Sequence, residues 1–269
     1  MNIIHFKEVF GSEKPVFGMV HLPPLPGSPN YGNSMEDVIN HALFDSQVLV
    51  ENGVTALIVE NLGDYPYYPV TQEPETVAAM TRVALEIKKK YPDTLLGINV
   101  LRNSWKSAIA IAYLVGAQFI RLNVLTDVMA TDQGLIVGEA HLALRYRKYL
   151  GADNVLLFCD LYSKHAAPLA ARDLRTVASE MVGRGMADAI IISGPETPVP
   201  PLKEDILQVR QAVPDVPIIL GSGITTEVCD IVSLADGVVF GYGSKPSGNM
   251  NDPVDEKTVR IFMERISNI

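Results

Sequence analysis

Cysteine is scarce: Cys159 and Cys229 are the only two in 269 residues. Two cysteines give neither a disulfide framework nor a thiolate metal cluster. Cys159, inside the apolar run VLLFCDL, reads as a small buried side chain. Basic residues are outnumbered, with 22 Lys and Arg against 31 Asp and Glu and a net charge of -9. A nucleic-acid partner would need a basic face, so the balance argues against one. A small anionic ligand stays open, because a local pocket can oppose the global sign. No run reaches the roughly 18 apolar residues of a membrane-spanning helix, and no charged-then-apolar leader opens the chain. The expectation is therefore a soluble cytoplasmic protein without a transmembrane segment. There is no G-x-x-x-x-G-K-[ST] loop, which excludes P-loop nucleotide hydrolysis.

What is present is a repeated alternation. Short apolar runs recur at 15–22, 56–61, 95–101, 119–125, 155–161, 189–193, 217–221 and 237–241. Nearly continuous hydrophobic runs of this length suit parallel strands covered on both faces. Between them lie helical spacings such as Val77, Met80, Ala84, Ile87 and Tyr91, or Leu174, Val177, Ala178, Met181 and Val182. Val259, Phe262, Met263 and Ile266 repeat the pattern near the C-terminus. With 48% hydrophobic residues and no break in composition, the pattern predicts one α/β domain over residues 1–269. Its form is a single (β/α)8 TIM barrel of parallel strands. An open doubly wound sheet is the alternative. The segment 125–134 reads as a long loop or lid, with Asp132 able to cap the next helix.

In such barrels chemistry sits where strands end. Side-chain alternation groups Phe17, Met19 and His21 on one face of the first strand, and Ile58 and Glu60 on the second. Gly97 and Asn99 share a face on the third, Arg121 and Asn123 on the fourth, and Leu156, Phe158 and Asp160 on the fifth. Five strands thus each offer a polar group behind which the face is apolar. A polar outer face would be desolvated by the helices at high cost, so these residues are expected inside, as a pocket floor. The plain structural alternative is a satisfied buried network in which Arg121 neutralises Glu60 or Asp160. As a pocket floor, Glu60 and Asp160 become acid–base candidates and Arg121 an anion clamp. Arg102 and Asn103 follow the third strand. Lys164 and His165 follow the fifth, Lys164 as an electrostatic contact or a Schiff-base nucleophile. His21 is open as proton carrier, metal ligand or structural residue. A divalent metal on Glu60, Asp160, His21 and His165 stays open, though no spacing enforces one.

The seventh and eighth runs end in Gly221-Ser222-Gly223 and Gly241-Tyr242-Gly243. Loops at these two places form phosphate sites in TIM barrels, with a short helix N-terminus supplying amides. Gly221, Ser222, Gly223, Gly241 and Gly243 are therefore expected to hold a phosphate, with Lys245 adding charge if it points inward.

The chain also resembles the BtpA/SgcQ family along nearly its whole length. The stretches carrying the resemblance are GMVHLPPLPGSP (18–29), VENLGDYP (59–66), PETVAAMT (74–81) and GINVLRN (97–103). They continue with FIRLNVL, TDQGLIVGEA (131–140), KHAAPL (164–169), GSGI (221–224) and NDPVD (251–255). At CDLYSKHA the sequence departs from the valine-rich stretch usual in that family, which leaves Asp160, Lys164 and His165 in place. The resemblance implies a TIM barrel related to phosphosugar-binding barrels and carries over no catalytic residues. Family members are associated with photosystem I biogenesis and with sugar utilisation. The expectation is an isomerase, epimerase or lyase working on a small phosphorylated sugar or nucleoside-derived phosphate. Glu60 or Asp160 is its base, with Arg121, Asn123 or Lys164 stabilising an oxyanion. The alternatives are a non-catalytic assembly factor and, further off, a metal-assisted nucleotide hydrolase. A homo-oligomer is left open.

Overall fold

The computed structural model describes residues 1–196, 198–228 and 230–269. Cys229 lies outside the described residues. Eight parallel strands close in the order β1, β2, β3, β4, β7, β9, β10, β11 and back to β1. They are β1 (Val16–His21), β2 (Ala56–Glu60), β3 (Leu95–Asn99), β4 (Phe119–Leu122), β7 (Leu156–Asp160), β9 (Ala189–Ile192), β10 (Ile218–Leu220) and β11 (Gly237–Phe240). All eight apolar runs are strands, and the closed barrel is the predicted one.

Helices α2 (Met35–Glu51), α3 (Pro74–Lys90), α4 (Trp105–Val115), α5 (Ala140–Leu150), α6 (Leu174–Gly183), α7 (Lys203–Ala212) and α8 (Glu256–Ile266) surround the strands. Several start on the residues that such starts favour. Ser34, Asp173 and Asp255 each accept an amide of the first turn, satisfying donors that a helix start leaves free. No described helix is long and apolar enough to cross a membrane.

Two layers of packing follow from strand parity. One face of the strands meets the helices in the larger apolar layer, with Val20, Leu57, Ile98, Ile120 and Leu157. The other fills the barrel with Phe17, Met19, Ile58, Phe119, Phe158, Ile191, Ile219 and Val239. Gly97 pairs with Phe119 across β3 and β4. A Cβ on Gly97 would lie 2.2 Å from the Phe119 ring, so glycine is needed there for the ring to stack on Phe158, 4.4 Å away. The N-terminal mouth is closed by α1 (Ile3–Phe10), whose Phe6 and Phe10 are buried among these rings.

Two expectations fail. The segment 125–134 is no open loop: β5 (Val128–Thr131) and β6 (Gly134–Val137) form an antiparallel hairpin. Strand β8 (Ala166–Pro168), from the loop after β7, pairs antiparallel with β5 and completes a small sheet. Asp132 sits at the hairpin turn, where its carboxylate accepts from the Gln133 side chain. It caps nothing, since Glu139 occupies the N-cap of α5. Second, among the described residues no α-helix opens at Gly223. Gly223 takes a left-handed φ of 70°, and the next helical turn is the short 3-10 turn Asp230–Leu234. Thr225 and Thr226 are weak helix formers, and Ile224 is buried in the core instead of starting a turn.

Candidate active site

The strand register assembles the site. His21 pairs with Glu60, Glu60 with Asn99, and Asn99 with Arg121, so four consecutive strands place these residues in one lateral row. Each is buried, and each caps the apolar interior at the C-terminal ends of the strands. His21, Glu60 and Arg121 border a cavity of about 220 Å³. Glu60, His21, Arg121, Asn123, Lys164 and His165 line it from one side, and Gly221, Ser222, Gly223 and Gly241 from the other. Of the predicted residues, Asn99, Asp160 and Gly243 do not line it.

Asp160 lies behind the lining. Arg121 donates to it from Nε at 3.3 Å and from Nη2 at 3.0 Å, and Asn123 Nδ2 donates at 2.6 Å. With both oxygens engaged, it fixes the guanidinium and the amide. Burial works against the charge of Arg121, but Asp160 and Glu60 overcome it and hold its pKa above the ordinary value. Asn123 Oδ1 is buried with no partner. Asn99 stands similarly behind Glu60, donating to Oε2.

Glu60 keeps its carboxyl on the cavity. Burial raises its pKa, against the opposing pull of Arg121, Lys164 and the Asn99 hydrogen bond. His21 Nε2 stands 3.7 Å from Glu60 Oε1. Burial, then Lys245, Lys164 and Arg121, push the His21 pKa well below 6.5, so the ring is neutral. Lys164 is brought down to about 8, first by burial and then by Arg121.

The loops above are tied by Asn61 and Asp64, which sequence reading passed over, and by Arg102 and Asn103, which it placed after the third strand. Asn61 accepts from Leu101 N at 2.8 Å and donates to Asp64 at 2.9 Å, while Asp64 accepts from Leu25 N at 2.7 Å. The Asn61 amide and the Asp64 carboxylate together join the loops after β1, β2 and β3. Asn103 exchanges two hydrogen bonds with the backbone of Val124, joining the next loop. Arg102 and Tyr67 also line the cavity. Arg102 Nη2 donates to Ser163 Oγ at 3.0 Å and to the Lys164 carbonyl.

The glycines have a packing role first. A Cβ on Gly223 would lie 2.4 Å from backbone atoms of Val199 and Pro200, and one on Gly243 would lie 2.3 Å from the Ile224 carbonyl oxygen. Gly243 thus packs the two loops together instead of facing the cavity. Lys245 also turns away. Its buried ammonium donates to the carbonyls of Met250 at 2.8 Å and Asp252 at 2.5 Å and stands 3.8 Å from Asp45. Ser222 and Gly223 line the cavity, and their amides find no acceptor among the described residues. No group of three or more His, Cys, Asp or Glu side chains that could hold a metal ion is found among the described residues.

Residues 12–268 match the model of the BtpA family. Photosystem I biogenesis protein BtpA of Synechocystis sp. is 41% identical over 261 residues, covering 97% of this chain and 90% of that protein. The chain belongs to the BtpA family. An uncharacterized protein of Pyrococcus furiosus is 38% identical, covering 96% of each chain. Among solved structures, this BtpA-family barrel is similar to the tryptophan synthase alpha chain of Legionella pneumophila, with a TM-score of 0.60, 15% identity and coverage of 100% and 98%. It is also similar to phosphoribosyl anthranilate isomerase from Thermus thermophilus, with a TM-score of 0.55, 12% identity and coverage of 94% and 98%. At such identities the likeness shows the TIM-barrel fold alone.

Proposed function

We propose that this chain is an acid–base enzyme acting on a small phosphorylated sugar or nucleoside-derived phosphate, of the isomerase, epimerase or lyase class. The observation that carries the reading is Glu60: a buried carboxyl of raised proton affinity opening on the same cavity as Ser222, Gly223 and Gly241. Burial tunes a carboxyl toward proton exchange near neutral pH. Glu60 removes the proton beside the substrate carbonyl, and neutral His21 is placed to carry it onward. Arg121, held by Asp160, meets the developing oxyanion with Asn123. Asp160, with both oxygens committed, serves as a positioning residue and not as the base. The amides of Ser222 and Gly223 receive the phosphate. The names of solved barrels of this shape support the substrate class by analogy, since one is an isomerase of a phosphoribosyl compound.

The test is a series of thermal melts against inorganic phosphate and a panel of sugar phosphates, with and without Mg²⁺, Mn²⁺ and Zn²⁺. A ligand at 100 times its Kd adds about 2.7 kcal/mol. Ser222→Asp puts a negative charge in the cup and should abolish the shift while the unliganded melt stays close to wild type. A panel in which nothing stabilises the wild type removes the phosphate reading. That result would favour the second reading, a non-catalytic assembly factor. The Synechocystis relative, a photosystem I biogenesis protein, is the observation on its side.

A further inference from the structure

Lys164 is the one lysine among the lining residues of the cavity. Its place is fixed from two directions. It stands between the end of β7 at Asp160 and the start of β8 at Ala166, and β8 is paired to β5. The Arg102 guanidinium grips the Ser163 hydroxyl and the Lys164 carbonyl. A segment that reads as loop in the sequence is thus clamped at both ends. The charged groups that act on its ammonium include Arg121 on β4, Glu60 on β2, Asp160 on β7 and Arg102 after β3. A guanidinium disfavours a second cation in a low-dielectric cavity, whereas exposed lysines stay protonated at neutral pH. In the same cavity Glu60 supplies a carboxyl that holds its proton above the usual range.

We propose that Lys164 is a covalent nucleophile that forms a Schiff base with the carbonyl carbon of an aldehyde or ketone substrate, Glu60 moving the protons. The inference rests on the reading of this cavity as an acid–base site and deepens it. The neutral ε-amine adds to the carbonyl carbon, one N–C bond forming as the C=O π bond opens, and a proton passes from nitrogen to oxygen to give a carbinolamine. The acid form of Glu60 protonates that hydroxyl, water leaves, and a protonated imine and the Glu60 carboxylate remain. The carboxylate is then the base for the carbon beside the imine, whose positive nitrogen takes up the electron pair. Water adds back at the end and frees the amine, so nothing is oxidised or reduced.

The experiment traps the imine. The full chain is incubated with pyridoxal 5′-phosphate, an aldehyde carrying a phosphate, or with pyridoxal, then reduced with sodium borohydride and mapped by peptide mass spectrometry. The reduced adduct is expected on Lys164 at least tenfold over the average of the other lysines. In competitive labelling with trace acetic anhydride, its reactivity should rise with a midpoint near pH 8. Lys164→Arg should lose the adduct yet keep the thermal shift caused by pyridoxal 5′-phosphate. Enrichment with both probes alike would keep the nucleophile and remove the phosphate cup. A thermal shift abolished by Ser222→Asp, with label spread evenly over surface lysines, would keep the cup and overturn the nucleophile. A labelling midpoint as high as that of the exposed lysines would overturn it on the wild type alone, whether or not the variant folds.

Discussion

At the scale of the residue, Glu60 sets a pH dependence whose sign is fixed by its environment. Its pKa in the folded chain is raised above 4.5, chiefly by burial. Between the unfolded and folded values the folded protein holds a proton that the unfolded chain has released. That contribution to stability is full below pH 4.5 and is lost as pH rises through the folded value. Glu60→Gln removes the titration, so melts from pH 4 to pH 8 should show a flatter profile than wild type, with the variant no less stable at neutral pH. A variant profile as steep as wild type would mean that the carboxyl does not titrate in this range. Once a substrate is found, turnover should fall by about 10²–10⁴ with the fold intact. Glu60 was legible in the sequence because side chains along a strand point alternately to its two faces, so its parity with Ile58 fixed the face. Asn61 and Asp64, which tie three loops, were not: Asn61 meets Leu101 40 positions away and Asp64 meets Leu25 39 positions away, in a chain whose register is not yet known.

At the scale of the element, the glycine-rich end of β10 is decided by a neighbouring loop. Gly223 has a φ of 70° and no room for a Cβ beside the backbone of Val199 and Pro200. Backbone atoms cannot give way as a side-chain tip can. Gly223→Ala should therefore cost about 1–3 kcal/mol from strain alone and weaken any phosphate shift by displacing Ser222. Gly241→Ala would instead meet the flexible Met19 side chain at 2.9 Å, and should be milder in both readouts. Equal losses from the two variants in a denaturant series would contradict this account. The eight barrel strands were readable because burial on both faces makes them continuously apolar. The β5–β6–β8 sheet was not readable. Its strands have three or four residues each, carry Thr131 and exposed Leu135 and Val137, and depend on pairing with a segment some 35 residues downstream. That sheet is what turns Lys164 from a loop residue into a positioned one.

At the scale of the whole molecule, the aromatic plug and the candidate site lie at opposite ends of the barrel. The site occupies the C-terminal ends of the strands, while α1 closes the other mouth. Phe10 packs edge-on against Phe17 at 5.1 Å and Phe119 at 5.8 Å, and Phe6 lies 6.0 Å from Phe158. Ile3 N also bonds the Asp215 carbonyl at 3.0 Å, just before β10. The family match begins at residue 12, beyond this helix. Phe10→Ala leaves a cavity in the middle of the aromatic cluster and should cost about 3–5 kcal/mol, lowering Tm by roughly 10 °C. Apolar layers of Met19, Ile58, Phe119 and Phe158 separate the plug from the row of His21, Glu60, Asn99 and Arg121. Close-packed layers of this kind transmit strain only through displaced backbone, and α1 contributes none of the site's loops. The ligand-induced increment in melting temperature should therefore survive Phe10→Ala while the baseline falls. Were the increment to vanish with the baseline still cooperative, the plug would be setting the strand register that aligns His21 with Glu60 and Arg121, and the two ends would be one coupled unit.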